Sequence, residues 1–484
     1  MAEPGWRPRL RWGTPLPGLL PADATASGAQ QPFRLVAPFL RLAFVISLGA
    51  GFGAGAVLAI SQAWGVPLGA WWTALVQVHG RAQLVGFVGL FILAVGLRFL
   101  PRLRGAPLVS ARSAQYGLLA IGTGVLLQAF SQPLLALAST PASGLARVGL
   151  VLGGVLAWLG STLIVAALAR TLRHGPPLSW RGGLMSILPF LILRFATLWL
   201  TLLAGAALCV QAALAFAPAF PAPTDRALTD ALLFGFALPV SAAVSVRLLP
   251  ITFGVELVAP APLLALFAIL SSSVVLRVAG DLTGQDWPLA AANLLMGLFG
   301  LGFPLLASVP LGLRRPLRRA DSPALAQASR LPNALIRSAY VWLLLAGALA
   351  LIGGLSRLLG NPVRLSEDAL RHAVTTGYLT LLILGMGARL IPGFARQRLR
   401  PVPQLRLVVV AGNLAALFRV LPPLAAALGV TAPALAAAFG LSGLCALLAV
   451  GRFTQNVWPM LAGEVGRDAE RNAAGVAAPR GQRP

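Results

Sequence analysis

Lysine is absent from this sequence: all 38 basic residues are arginine. Acidic residues are scarce at 13, histidine and tyrosine occur three times each, and cysteine twice. Each shortage excludes something. Cys209 and Cys445 lie in separate apolar runs, so no cysteine metal site or disulfide framework is available, and both read as buried, inert thiols. No Cys-x-x-Cys-His stretch offers covalent haem attachment, and no Walker-type phosphate loop occurs. The three histidines do not cluster as a copper site requires. The acids lie in tails, loops or helix ends, whereas a proton-coupled transporter usually carries one in mid-membrane.

What remains is apolar. Hydrophobic residues make up 57% of the chain and charged residues 11%, with a mean hydropathy of +0.82. No soluble domain of this size has such a composition. The sequence lacks the period-2 alternation of a membrane β-barrel. An all-α, polytopic membrane bundle of about 12 helices is therefore expected. Spans are predicted at about 38–60, 73–98, 114–137, 147–169, 184–214, 229–249, 261–278, 288–313, 333–356, 369–391, 406–428 and 433–455. Residues 1–37 read as a disordered cytoplasmic tail, 38–455 as one transmembrane domain and 456–484 as a second polar tail.

The formal charge of +25 does not point to nucleic acid, because the arginines sit in short loops between apolar runs. With both termini cytoplasmic, 29 arginines fall in inner segments. Seven fall outside (Arg81, Arg147, Arg226, Arg277, Arg357, Arg364 and Arg371), and Arg194 and Arg419 lie within spans. This asymmetry sets the orientation, and the lipid bilayer is the first partner.

Internal repetition is also present. GLRFLPR (96–102), SVRLLPI (245–251) and GARLIPG (387–393) share Arg-x-x-Pro after the second, sixth and tenth runs. Their spacing corresponds to four helices each time, which predicts a pseudo-three-fold arrangement of four-helix units over about 38–169, 184–313 and 333–455. The motif alone reads as an interfacial arginine followed by a helix-ending proline.

Two histidines occupy matching places in this repeat. His79 lies 19 residues before Arg98, about 28 Å along a helix, and His372 lies 17 residues before Arg389, about 26 Å. Both therefore sit near the outer surface, at similar depth. The matching stretch of the middle repeat, around Thr229 and Asp230, has no histidine, and His174 reads as a solvated loop residue. Two imidazoles at one depth on facing helices can ligate a haem iron from opposite sides, their nitrogens about 4 Å apart. The alternative is a pair of interfacial helix residues. Arg81 and Arg371, with Arg277 and Arg364 on the same face, are candidates to pair with haem propionates; otherwise they balance Asp281, Asp286, Glu367 and Asp368. Gln83 shares a helix face with His79, as Thr376 does with His372. Gly86 and Gly89 permit close approach of a helix or a flat macrocycle. Arg419, beside Asn413, is a charge within an apolar run and so a functional candidate, while Arg194 is expected to snorkel inward.

Three four-helix units with histidines on spans two and ten resemble the catalytic subunit of haem–copper oxidases. That resemblance implies His79 and His372 as axial ligands of a low-spin haem. The family's copper histidines on spans six and seven have no counterpart here, so it does not imply dioxygen reduction. VHGRAQLVGFVGLFILAVGLRFLPRLRGAP (78–107), RHAVTTGYLTLLILGMGARLIPGF (371–394), NLAALFRVLPPL (413–424) and RFTQNVWPML (452–461) are similar to patches of the NnrS family. These are polytopic membrane proteins associated with haem and copper and linked to nitric oxide metabolism and nitrosative stress. The resemblance implies a haem b held by His79 and His372, copper as a second cofactor without an evident ligand set, and nitric oxide or a redox partner. With both axial positions filled the iron suits electron transfer; with one filled an open position takes a ligand. A haem-free transporter and a non-catalytic subunit of a respiratory complex are the competing readings.

Overall fold

The computed structural model describes residues 26–137, 142–175, 187–254, 258–307, 323–360, 365–395 and 402–463. The described chain is all α-helical, and 12 helices are long and apolar enough to cross a membrane. We number them α1 (Phe33–Trp64), α2 (Trp71–Arg104), α3 (Ala111–Leu135), α4 (Ser143–Arg173), α5 (Leu188–Leu214), α6 (Ala222–Pro250), α7 (Pro260–Thr283), α8 (Asp286–Ala307), α9 (Gln327–Leu358), α10 (Glu367–Ala395), α11 (Gln404–Ala427) and α12 (Pro433–Ala462). They correspond one to one with the predicted spans. Several ends differ: helix begins at Ala26, inside the stretch read as a tail, α6 begins at Ala222, ahead of the predicted 229, and α12 runs on to Ala462. Arg364 and the predicted span ends at 184–186 and 308–313 lie outside the described residues.

Burial sorts the helices into two classes. The apolar cores of α2, α6 and α10 are 78%, 83% and 72% buried, against 28–50% in the other nine. Those three form the centre. Peripheral helices turn large apolar side chains outward, among them Leu119, Phe130, Leu145, Leu200 and Val275, as a lipid-facing surface requires. Trp64, Trp71 and Trp287 stand exposed at helix ends, where an aromatic belt is expected. Consecutive helices pack on one another, and α12 packs back on α1.

Lipid supplies no hydrophobic force between helices, so close backbone approach through small residues does much of the packing. A Cβ on Gly124 of α3 would lie 2.6 Å from the Gly153 carbonyl oxygen of α4. One on Gly300 of α8 would lie 2.7 Å from the Gly347 Cα of α9. Gly86 belongs to the same class: its added Cβ would collide with Ile46 of α1, so this glycine seats a helix.

The three Arg-x-x-Pro motifs do not end their helices. Helix continues from Pro101 to Arg104, from Pro250 to Phe253 and from Pro392 to Ala395. A proline there removes one backbone bond in the last turns, a loss a helix end absorbs. The central helices share another feature: each contains π-helical turns, at Ala82–Gly89, Leu233–Ala237 and Ala373–Thr380. A further one, Ser47–Gly51, lies in α1. Such widened turns interrupt the regular ladder, free carbonyls for other donors and often mark functional sites.

Candidate metal centre

His79 and His372 each stand just before a π-helical segment of a central helix, and the fold brings their rings close together with nearly parallel planes. Their ring centroids are 6.4 Å apart and their planes differ by 9°. Both rings are half-buried. Gly55 of α1 makes room for the first ring: a Cβ there would lie 2.6 Å from His79 Cε1.

Both imidazoles commit the same nitrogen. His79 Nδ1 is 2.8 Å from the Gly51 carbonyl oxygen, at the end of the α1 π-helical turn. The Gly51 backbone departs from helical angles (φ −79°, ψ −102°), which aims its carbonyl out of the ladder. His372 Nδ1 is 2.9 Å from the Asp368 carbonyl oxygen and 3.2 Å from its carboxylate. A carbonyl partner makes Nδ1 the donor, so each neutral ring keeps its lone pair on Nε2. That tautomer is the one in which a histidine binds metal through Nε2 while its other nitrogen is held from behind.

The two backings are unequal. His79 leans on a neutral carbonyl, whereas His372 leans on a carboxylate that is itself held by Arg419, 3.1 Å away. Arg419 lies 4.3 Å above the Phe439 ring of α12, which fixes its head. The charge within α11 thus serves Asp368. Asn413 belongs to a separate contact with Trp342 and Ser338.

Beside the histidines lies an ion network whose centre, Asp230, sequence reasoning missed. Asp230 of α6, with its side chain 0% exposed, accepts from Arg371 at 2.7 and 2.9 Å and from Arg277 at 3.0 Å. Arg277 also reaches Glu367 at 2.9 Å and donates to Asn293. Glu367 meets Arg357, which ends the chain of pairs on Asp286 at 2.7 Å. The expectation that the acids keep to loops and helix ends fails at Asp230. It is eight residues into a helix that begins at Ala222, because the polar run APTDRALTD belongs to the span and only its low hydropathy hid the start. A signal was present in the sequence: Asp230 lies 17 residues before Arg247, as His372 lies 17 before Arg389.

The remaining candidates sort by place. Arg371 and Arg277 are engaged by carboxylates, the arrangement in which outer arginines balance acids. Gln83 lies at Gly51, where an added Cβ would be 3.2 Å from its Cδ, so it does share the His79 side of α2. Thr376 is largely buried in the α10 π-helical segment. Arg81 lies on the other side of α2, donating to Gln132 of α3 and stacked 4.3 Å over Phe220. Arg194 does not snorkel. It is buried, donating to Ser271 and to the Gly235 carbonyl freed by the α6 π-helical turn. His174 is exposed on the Arg170 carbonyl, and both cysteines are free.

Residues 324–464 match the family model described as NnrS protein. The match spans α9 to α12. It therefore contains His372, Asp368 and Arg419 and leaves out His79 and Asp230. No curated protein matches the chain. The NnrS-matched part thus supplies one histidine with its charged backing, and the unmatched part supplies the other histidine and Asp230.

Proposed function

We propose that this is an NnrS-type membrane protein that holds a b-type haem between His79 and His372 and acts in nitric oxide or nitrosative-stress metabolism. The observation that carries the reading is the imidazole pair, 6.4 Å between ring centres and 9° between planes, with both Nδ1 atoms occupied. Two nitrogen–metal bonds of roughly 2 Å, with about 1 Å from each nitrogen to its ring centre, require about 6 Å between ring centres. The spacing of the two rings supports a single metal ion between them.

Among the described residues no group of three or more His, Cys, Asp or Glu is placed to hold a metal ion. Two imidazoles alone are a short ligand set for most metals, and a porphyrin brings the four nitrogens that complete it. That favours haem over bare copper, for which only the family resemblance speaks. The bound group would supply one-electron chemistry. The chain fixes both ring tautomers and places a carboxylate behind one of them. The setting of His79 and His372 on two central helices, with Asp230 at the third, supports a three-unit arrangement like that of the oxidase subunit. The nitric oxide role rests on the NnrS likeness.

The test is the optical spectrum of detergent-purified protein, oxidised and dithionite-reduced, beside His79→Ala and His372→Ala. Sharp reduced α and β bands in the native protein, lost in both variants, are expected. Folded protein expressed with ample haem and lacking those bands would sink the reading and bring the transporter forward.

A further inference from the structure

The frame around Asp230 matches its charges. Three arginines (Arg277, Arg357 and Arg371) pair with three carboxylates (Asp230, Glu367 and Asp286). A fourth acid stands beside the set without joining it. Asp281, one turn beyond Arg277 on α7, is 4% exposed. Among the described residues it makes no ion pair within 4.0 Å, and its Oδ2 is buried with no hydrogen-bond partner. What it does face is another acid: its carboxyl stands at hydrogen-bonding range of Asp230.

Two carboxylates at this range are not both ionised in a buried site, because their repulsion adds to the cost of desolvating a second charge. Nor do they hydrogen-bond, since neither has a donor. One proton between them removes the repulsion and supplies that donor. The partners decide which acid carries it. Asp230 accepts from Arg371 through both oxygens and from Arg277 through one, and such bonds favour its charged form. They leave one of the roughly four lone-pair positions of a carboxylate open. Asp281 has the unpartnered oxygen and no cation of its own. The groups around it are committed elsewhere: Arg277 of α7 to Asp230, Glu367 and Asn293, Arg371 of α10 to Asp230, and Asp286 of α8 to Arg357. The remaining competitor for Asp281 is Arg277 Nε, which is buried without a partner. Pairing with it would ionise Asp281 and leave the set with one negative charge in excess.

We propose that Asp281 is a proton-binding site: a carboxylic acid that at neutral pH donates its hydrogen bond to the Asp230 carboxylate. The frame then closes at neutrality around a proton. Glu367 and Asp286 are partly exposed, so water reaches the edge of the frame. A buried acid placed in this way inside a membrane bundle is a place where a proton is stored or passed on. The site owes nothing to the haem reading and stands or falls apart from it.

Infrared spectroscopy reads the proton directly, because a protonated carboxylic acid has a carbonyl stretch above the amide I band and a carboxylate does not. The full-length protein is measured at neutral pH in a detergent free of esters and carboxyl groups, as the native chain and as Asp281→Asn. Labelling aspartate with carboxyl-13C separates its bands from those of glutamate. The native protein should show an aspartic acid band that moves with the label and is lost in Asp281→Asn. That variant should also unfold at the same denaturant concentration as the native protein, since an amide keeps a neutral donor toward Asp230. An aspartic acid band absent from the native protein, or persisting unchanged in Asp281→Asn, would overturn the proposal. So would a clear loss of stability in Asp281→Asn, which would place an ionised Asp281 on Arg277 Nε.

Discussion

The two ends of the central helices treat arginine in opposite ways. At the histidine end, Arg277 and Arg371 are drawn into a closed set of carboxylates around a fully buried Asp230. At the Arg-x-x-Pro end, Arg98 lies 5.1 Å over the Phe394 ring, Arg389 donates to Asn333, and neither forms an ion pair with a carboxylate among the described residues. The chain places so few acids that this concentration at one end is itself informative. One end is a fixed electrostatic frame around the imidazoles. The other is a set of cations suited to an interface, where lipid phosphates and water complete their shells.

The sharpest way to break the comparison is Asp230→Ala. It leaves Arg277 and Arg371 facing one another without their shared counter-charge, and removing one partner of a buried ion pair costs about 3–5 kcal/mol. We expect a fall of that size in denaturant unfolding of the detergent-solubilised protein. Arg371 is covalently next to His372, so the bands of the proposed haem should weaken in the fraction that still folds. A loss below about 1 kcal/mol would mean that the network contributes little to the frame.

Much of this was legible in the sequence, for particular reasons. Hydropathy located all twelve spans because a membrane crossing is a length-and-composition requirement. His79 and His372 stood out as candidates because histidine is rare here and each stands 17–19 residues before a recognisable Arg-x-x-Pro. Asp230 was not, because a carboxylate among polar neighbours looks like loop, and its burial depends on arginines 47 and 141 residues away. Two positions apart on a helix, Arg81 and His79 must face different sides, but the sequence could not tell which helices they meet. That follows from which side chains α1 and α3 present.

A smaller effect is expected at Gly55→Ala. The added methyl would sit 2.6 Å from His79 Cε1, so the ring or helix α1 must move. Overpacking of this kind costs about 1–3 kcal/mol. The reduced α band should broaden or vanish while the Asp230 network stays intact, because α1 contributes nothing to it. An unaltered spectrum would show that the His79 ring is not held in a fixed pose. Asp368→Asn probes the unequal backing more gently. The variant keeps the carbonyl that holds His372 Nδ1 but loses the negative charge and frees Arg419. Both changes disfavour the oxidised iron, so the haem midpoint potential should rise by roughly 30–60 mV, about a tenfold change at most in a one-electron equilibrium. A fall, or no change, would remove Asp368 from the electrostatics of the site.

The smallest effect belongs to the other end. Arg98→Gln removes a guanidinium that is buried with Nε and Nη1 unpartnered and held by the face of Phe394. A cation–π contact of this kind contributes about 0.5–1 kcal/mol, and taking away an imperfectly satisfied buried charge returns part of that. The unfolding free energy should therefore change by less than about 1 kcal/mol, with the haem spectrum unaffected because Arg98 lies some 28 Å along α2 from His79. Set beside Asp230→Ala, the pair of variants measures the asymmetry directly. Equal losses would mean that the Arg-x-x-Pro end is as tightly framed as the histidine end, and that its arginines have anionic partners in the folded protein that are not carboxylates of the described chain.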